Sequence, residues 1–462
     1  MTERTLVEFS GSRGGTCALS WGQVAIWRAV QRMVPDDAAL NMSWVTDLEG
    51  EGISFGTPLS RITDTVRTVM ERHESLRTRV RTGAGGEPRQ VLAATGTIEV
   101  HVVEATAGTA AAEAKALQAR LTDPAYDYPH EWPLRAGAVR VGEVVTHAVF
   151  GICHLVTDRG GLTALVRDVV LCLRGEPLAG AADRQPYDQA LHQQSEAGRR
   201  QSGKALRYWS RHLHAVPLRR FPEGGVRPEG EPPFWSVTLS SPAGDLAVTR
   251  LAGREQVSTS AVILAAAAVQ LARQTGAREA VLQVIVSNRF RPGLAGSVGP
   301  ASQDGLCVVD VGDPDRPDDL PVVIQRAMRA SLQAYLHAQY DPAALDDLVA
   351  AVGAARGGEV DLSASFNDRR FDAQTPVAAG EAVTAAAIEA LLPATRLRRE
   401  RVEHYGARYF LHVNAVSGSL DLTLFADSSV LSAAAVEAHL RGIEALLVGA
   451  ATAAGAQAPV AA

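Results

Sequence analysis

The apolar run Val144 to Ile152 breaks into Cys153-His154-Leu155-Val156-Thr157-Asp158-Arg159-Gly160-Gly161, and an apolar, helix-like stretch, Leu162 to Leu173, follows directly. A continuous apolar run bounded by turn residues reads as a buried strand. The chain therefore has to bury a strand, turn through a Gly-rich loop and open a helix. A histidine sits at the mouth of that strand, with a carboxylate four residues on. Such a loop can hold one imidazole in a fixed tautomer and aim it into a cleft, as a general base requires. On spacing alone, an ordinary loop pair of His154 and Asp158 is the plainer reading.

The chain has 462 residues, is 46% hydrophobic and 21% charged, and carries a net charge of -6. At roughly 100–200 residues per domain this makes two or three folding units, each able to bury a core. Mild acidity argues against binding nucleic acid or an anionic membrane through a bulk field. No apolar run approaches the roughly 18–20 residues that span a bilayer. Met1-Thr2-Glu3-Arg4 has no signal-peptide h-region behind it. Cys17, Cys153, Cys172 and Cys307 are scattered, with no C-x-x-C pair, so reduced thiols in a cytoplasmic protein are expected. His212-Leu213-His214 has no third ligand at metal spacing, and no metal is expected. No P-loop or dinucleotide fingerprint is present.

Ser20, with Gln23 three residues on, predicts a capping box opening a helix whose buried face carries Val24, Trp27 and Val30. A second amphipathic helix is expected over Leu59 to Leu76, and strands at 7–9, 89–92, 98–103 and 136–152. Gly175 to Pro186 reads as a linker, followed by a polar helix over Tyr187 to Leu213. Ser258 to Thr275 is nearly all apolar and closed by Gly276, so that helix should be buried. A strand at 281–287, helices at 321–340 and 343–355, a strand pair at 409–415 and 419–426, and a helix at 432–448 complete the second half.

Taken in order, these segments resemble the condensation domain of nonribosomal peptide synthetases, within the chloramphenicol-acetyltransferase-like superfamily. Leu19 to Trp27 is similar to the opening S-x-x-Q-x-x-x-W motif, and Arg72-His73-Glu74-Ser75-Leu76-Arg77-Thr78 matches R-H-E-x-L-R-T. Cys153 to Arg159 takes the place of H-H-x-x-x-D-G. Tyr187 to Ala190 with Tyr208-Trp209 resembles Y-x-D-Y-A…Y-W, and Asn288-Arg289 falls at the G-R turn. Val298-Gly299-Pro300 matches the start of V-G-x-F-V-N, and Ser365-Phe366-Asn367 is similar to F-N-Y-Q.

The resemblance implies an α/β fold of two acetyltransferase-like lobes, a V-shaped pseudo-dimer with a central tunnel. The expected division is 1–176, 177–450 and a disordered tail, 451–462. It further implies that His154 deprotonates the acceptor, or stabilises its developing charge, as it attacks a thioester presented on the phosphopantetheine arm of a carrier protein. No cofactor is expected to be bound permanently. Asp158 would brace the loop by pairing with an arginine, Arg289 being the candidate and Arg291 its neighbour on the same turn. His73, Glu74 and Arg77 are expected to pack at a helix end.

Two positions depart from the motif. Cys153 replaces the first histidine, and its surroundings resemble no cysteine hydrolase. Arg159 replaces the glycine after Asp158, where it would narrow the acceptor side, bind a substrate carboxylate or point to solvent. Gly160-Gly161 can restore the backbone freedom. With Cys153 and Gly160, Arg159 is expected to border the substrate tunnel. The stretch Gly299-Pro300-Ala301-Ser302-Gln303 lacks the Phe and Asn of its motif.

The expected function is that of a free-standing, monomeric condensation enzyme forming an amide or an ester with a carrier-bound or small-molecule acceptor. Its alternatives are a coenzyme-A-dependent acyltransferase of the same superfamily and an inactive domain that recruits tailoring enzymes.

Overall fold

Residues 136–152, expected as strand throughout, form a hairpin that turns at Gly142, which takes a left-handed backbone (φ +63°). In the computed structural model, residues 2–53, 56–180, 183–221, 227, 229–370 and 383–453 are described. The chain separates into two units, Met1–Ser202 with Ser287–Gln303, and Gly203–Val286 with Asp304–Ala462.

The first unit contains β1 (Thr2–Ser10), β2 (Gly15–Ala18), α1 (Trp21–Met33), β3 (Met42–Asp47), α2 (Leu59–Arg72), β4 (Thr78–Thr82), β5 (Pro88–Leu92), β6 (Thr95–Glu104), α3 (Ala110–Thr122), β7 (Leu134–Val141), β8 (Val144–Ile152), α4 (Arg159–Arg174) and α5 (Pro186–Gln194). Its main sheet has the order β1-β6-β7-β8-β3, parallel only between β6 and β7. Side chains alternate across a strand, and helices cover both faces. Ala148, Phe150 and Ile152 pack with Ile62, Val66 and Met70 of α2 and with Leu165 and Val169 of α4. Val149 packs the other way, with Ala114, Leu117 and Leu121 of α3. Two covered faces account for the unbroken apolar character of 148–152. A smaller sheet, β2-β5-β4, completes the unit.

The second unit contains α6 (Glu196–Ala215), β9 (Phe234–Ser241), α7 (Pro242–Glu255), α8 (Thr259–Thr275), β10 (Glu279–Val286), β11 (Gln303–Asp310), α9 (Leu320–Leu336), α10 (Pro342–Arg356), β12 (Ala364–Asp368), α11 (Ala385–Leu391), β13 (Arg396–Val402), β14 (Tyr409–Asn414), β15 (Leu420–Asp427) and α12 (Ala433–Thr452). The first turns of α6 still count with the first unit. The sheet runs β11-β10-β12-β14-β15-β9-β13. Helix α8 lies among α7, α9 and α12, which is why it is apolar all round. Trp209 and Leu213 of α6 and Leu345 and Val352 of α10 cover Val281 and Leu306 on the other side of the sheet.

Several boundaries differ from expectation. Helix α2 stops at Arg72, and Glu74–Arg77 is a separate 3-10 turn after an extended His73. The helix expected over 187–213 is broken at Ser195, whose backbone is extended. The expected division at 176 differs from the observed one. Helix α5 packs against β2 and the 74–77 turn, and Gln193 Oε1 accepts a hydrogen bond from the backbone N–H of Trp21 (2.8 Å), which ties 186–194 to the first unit. Of the expected tail, 451 and 452 end α12, and 454–462 lie outside the described residues. Among the described residues, no helix is long and apolar enough to cross a membrane.

Candidate active site

At the end of β8 the chain makes one 3-10 turn, His154–Val156, and then runs extended through Thr157 and Asp158 into α4. His154 is half-buried. Its Nδ1 lies 2.7 Å from the carbonyl oxygen of Thr157. A carbonyl only accepts, so Nδ1 carries the proton and, in the neutral ring, Nε2 keeps its lone pair. The loop thus fixes the tautomer through its own backbone.

Asp158 caps α4, its Oδ1 accepting from the N–H of Gly161 (2.9 Å), which satisfies a donor that the helix leaves free. The same oxygen accepts from Arg289 Nη2 (2.5 Å). Oδ2 accepts from the N–H groups of Ala301 (2.9 Å) and Ser302 (3.1 Å) and from Ser302 Oγ (2.9 Å). Burial opposes ionisation of this carboxyl, but Arg289 and the backbone donors outweigh it and hold it below the usual carboxylate range. Arg289 also donates to the carbonyls of Leu294 (3.0 Å), Ser297 (2.7 Å) and Gly299 (2.9 Å). Arg291 instead turns back on Asn288 Oδ1 (3.4 Å). Asn288 takes a left-handed backbone (φ +57°), so an asparagine meets the conformational demand at this turn, and its Nδ2 donates to the carbonyl of Ala301 (3.0 Å).

The requirement for glycine after Asp158 falls at the next two positions. A Cβ on Gly160 would sit 2.2 Å from Arg289 Nε, and one on Gly161 would sit 2.3 Å from Thr157 Oγ1. Of the three residues expected to border the substrate path, Gly160 is therefore closed over by Arg289. Cys153 is buried, 2% exposed, among Leu19, Val80, Tyr126 and Leu155, and burial pushes its thiol up to about 12, so it is neutral at pH 7. Arg159 is exposed on the first residue of α4.

The other motif residues form a frame around this loop. Ser20 and Gln23 make the expected capping box, and Gly22 lets α1 approach 299–301, since a Cβ there would be 2.2 Å from the carbonyl oxygen of Pro300. His73 Nε2 meets Asp168 Oδ2 of α4 at 3.0 Å, and Arg72 Nε donates to the same oxygen (3.1 Å). Glu74 accepts two hydrogen bonds from Arg13 (2.7 and 2.9 Å). Arg77, 1% exposed, donates to the carbonyls of Arg13 (2.7 Å) and Ala93 (2.6 Å). The sequence reading missed Thr157, Ala301 and Ser302, two of which act only through backbone atoms that any residue supplies. Their one signal is position, Thr157 between His154 and Asp158 and the other two in the stretch that departs from its motif. All four cysteines are free thiols, and among the described residues no three His, Cys, Asp or Glu side chains converge as a metal-binding set.

The chain thus combines a two-unit fold of helix and sheet with a histidine loop followed by a carboxylate that caps α4 and pairs with an arginine. The chain belongs to the condensation-domain family, whose model matches residues 15–454. A curated nonribosomal peptide synthetase, inpB of Emericella nidulans, is 27% identical over 274 residues, 58% of this chain and 11% of that protein's length. The chain thus spans a small part of the curated relative it matches. Among solved structures, a condensation domain mediating chain release from the enacyloxin polyketide synthase is similar with a TM-score of 0.69, at 18% identity over 96% of this chain and 84% of that one. The X-domain from teicoplanin biosynthesis, in its complex with OxyB, gives 0.65 at 18% identity over 96% and 95%. The SgcC5 protein from Streptomyces globisporus gives 0.64 at 16% identity over 94% and 98%. Condensation domains generally catalyse amide-bond formation on carrier-protein-bound substrates.

Proposed function

We propose that this condensation domain transfers an acyl or aminoacyl group from the phosphopantetheine thioester of a carrier protein to an amine or alcohol acceptor, with His154 as the proton acceptor. The observation that carries this reading is the hydrogen bond from His154 Nδ1 to the Thr157 carbonyl (2.7 Å), which leaves Nε2 as the basic atom. The acceptor nitrogen or oxygen attacks the thioester carbon, and Nε2 takes its proton. The tetrahedral intermediate then collapses, the carbon–sulfur bond breaks, and the proton passes to the departing thiolate. No resident cofactor enters the step. Asp158 and Arg289 act by holding the loop.

The test is intact-mass analysis of a carrier protein loaded with a donor acyl group and incubated with acceptor and enzyme. Wild type is expected to unload the carrier and form the condensed product. His154→Ala is expected to lose about 10²–10⁴ of that rate while keeping its circular dichroism. Full activity in the variant would sink this reading. A second reading, an inactive domain that recruits a tailoring enzyme, is favoured by the similarity to an X-domain solved with OxyB and by Arg159 in the motif. It predicts stable binding of the loaded carrier with no transfer from any of a wide panel of donors.

A further inference from the structure

We propose that Asp183, in the segment between α4 and α5, is a positioning residue that holds Arg289 on Asp158 and through them sets the His154 loop; this rests on the role proposed for His154. Three of the four acceptors of the Arg289 guanidinium are carbonyls of a single stretch, Leu294, Ser297 and Gly299. That stretch has no regular secondary structure. Its local backbone bonds are long, with Leu294 N–H to the Arg291 carbonyl at 3.2 Å and Ser297 N–H to the Leu294 carbonyl at 3.4 Å. Such a loop does not keep three carbonyls converged by itself.

The missing rigidity comes from residues 183–186. Asp183 Oδ2 accepts from the N–H of Gly296 (2.5 Å). Ser297 Oγ donates to the carbonyl of Arg184 (2.7 Å), and Arg184 N–H donates to the carbonyl of Gly293 (3.0 Å). Gly299 lies against the Pro186 ring, where a Cβ would be 2.6 Å from Cγ. The segment is anchored in turn: Gln185 Nε2 donates to the Asp183 carbonyl (3.0 Å), while Gln185 Oε1 accepts from Glu74 N–H (2.9 Å). Only the Asp183 bond to Gly296 is charge-assisted among the three that reach 293–297, and such bonds are roughly twice as strong as neutral ones. Residues 183–186, at the end of a stretch that reads as a linker, therefore work as a strap between the R-H-E turn and the carbonyls that grip Arg289.

The experiment is amide hydrogen exchange with mass detection on the full chain, together with transfer kinetics. Asp183→Ala is expected to speed exchange about tenfold in peptides covering both 294–303 and 155–162, with the β7–β8 hairpin unchanged. Transfer kcat should fall while KM for the loaded carrier holds. Asp183→Asn, which keeps an acceptor oxygen for Gly296 but not its charge, should restore both in part. Ser297→Ala removes a single neutral bond and should reproduce the pattern more weakly, and it stands in if Asp183→Ala does not fold. Unchanged exchange at 155–162, or equal defects in the Ala and Asn variants, would overturn the proposal. If wild type transfers nothing, the function proposed for His154 fails, and the exchange measurement still decides the strap.

Discussion

Asp158 accepts five hydrogen bonds with two oxygens, and each donor belongs either to the start of α4 or to the stretch 289–302. Removing one partner of a buried ion pair leaves the other charge without compensation. Asp158→Ala is accordingly expected to cost roughly 3–5 kcal/mol in a urea titration, because Arg289, at 12% side-chain exposure, loses its counter-charge. Gly160→Ala should cost about 1–3 kcal/mol, since its Cβ would meet the Arg289 side chain at 2.2–2.4 Å. Arg159→Ala, at an exposed position, should stay within about 0.5 kcal/mol; a loss as large as that of Gly160→Ala would show the glycine requirement to be misplaced. His154, Asp158 and Arg289 are legible in the sequence because side-chain chemistry marks them. Ala301 is not, since a backbone N–H leaves no trace in residue type. Asn288 sits between these cases: it occupies a glycine position, and its tolerance of a left-handed backbone explains how.

The junction between the end of α2 and the middle of α4 is built on Asp168, which takes Arg72, His73 and Arg167 around one buried carboxylate. Burial opposes its charge, but the hydrogen bond from His73 and the contact with Arg167 bring it down to about 2, from 3.8. A carboxylate with a depressed folded value stabilises the fold above its unfolded value and loses that contribution as pH falls through the folded one. The stability gap between wild type and Asp168→Asn should thus be constant above about pH 5 and close as pH falls toward 2. Chemical denaturation at stepped pH measures it, and a gap that does not change would contradict the assignment. His73 is pushed down by burial, which favours its neutral form at pH 7 and adds to the acid sensitivity of the same junction. At this scale the sequence was only partly legible. Helices α2 and α8 announce themselves through stripe and burial. Helix α3 does not, because two of its four buried positions, Ala110 and Ala114, are alanines that contribute little contrast. The hairpin turn was hidden by its shortness, since only Gly142 and Glu143 separate the two strands.

The two units are not two consecutive lengths of chain. Strands β10 and β11 are neighbours in the second sheet, yet residues 287–303 between them count with the first unit and bring Arg289. A fragment ending at residue 202 would keep Asp158 and lose Arg289, Ala301 and Ser302. It is expected to exchange amides at 155–162 much faster than the full chain does, with β7 and β8 still protected; equal protection in fragment and full chain would show that the returning segment is dispensable. Family membership was legible from the order of many short motifs, each weak alone. The return of 287–303 to the first unit was not, because membership of a unit depends on contacts far apart in the chain.

That return also sets an order of events on the ribosome. Arg289 follows Asp158 by 131 residues, so at roughly 5–20 residues per second the carboxylate waits about 7–26 s for its partner. During that time α4 to α8, β9 and β10 are made. The histidine loop is therefore made well before the segment that closes it.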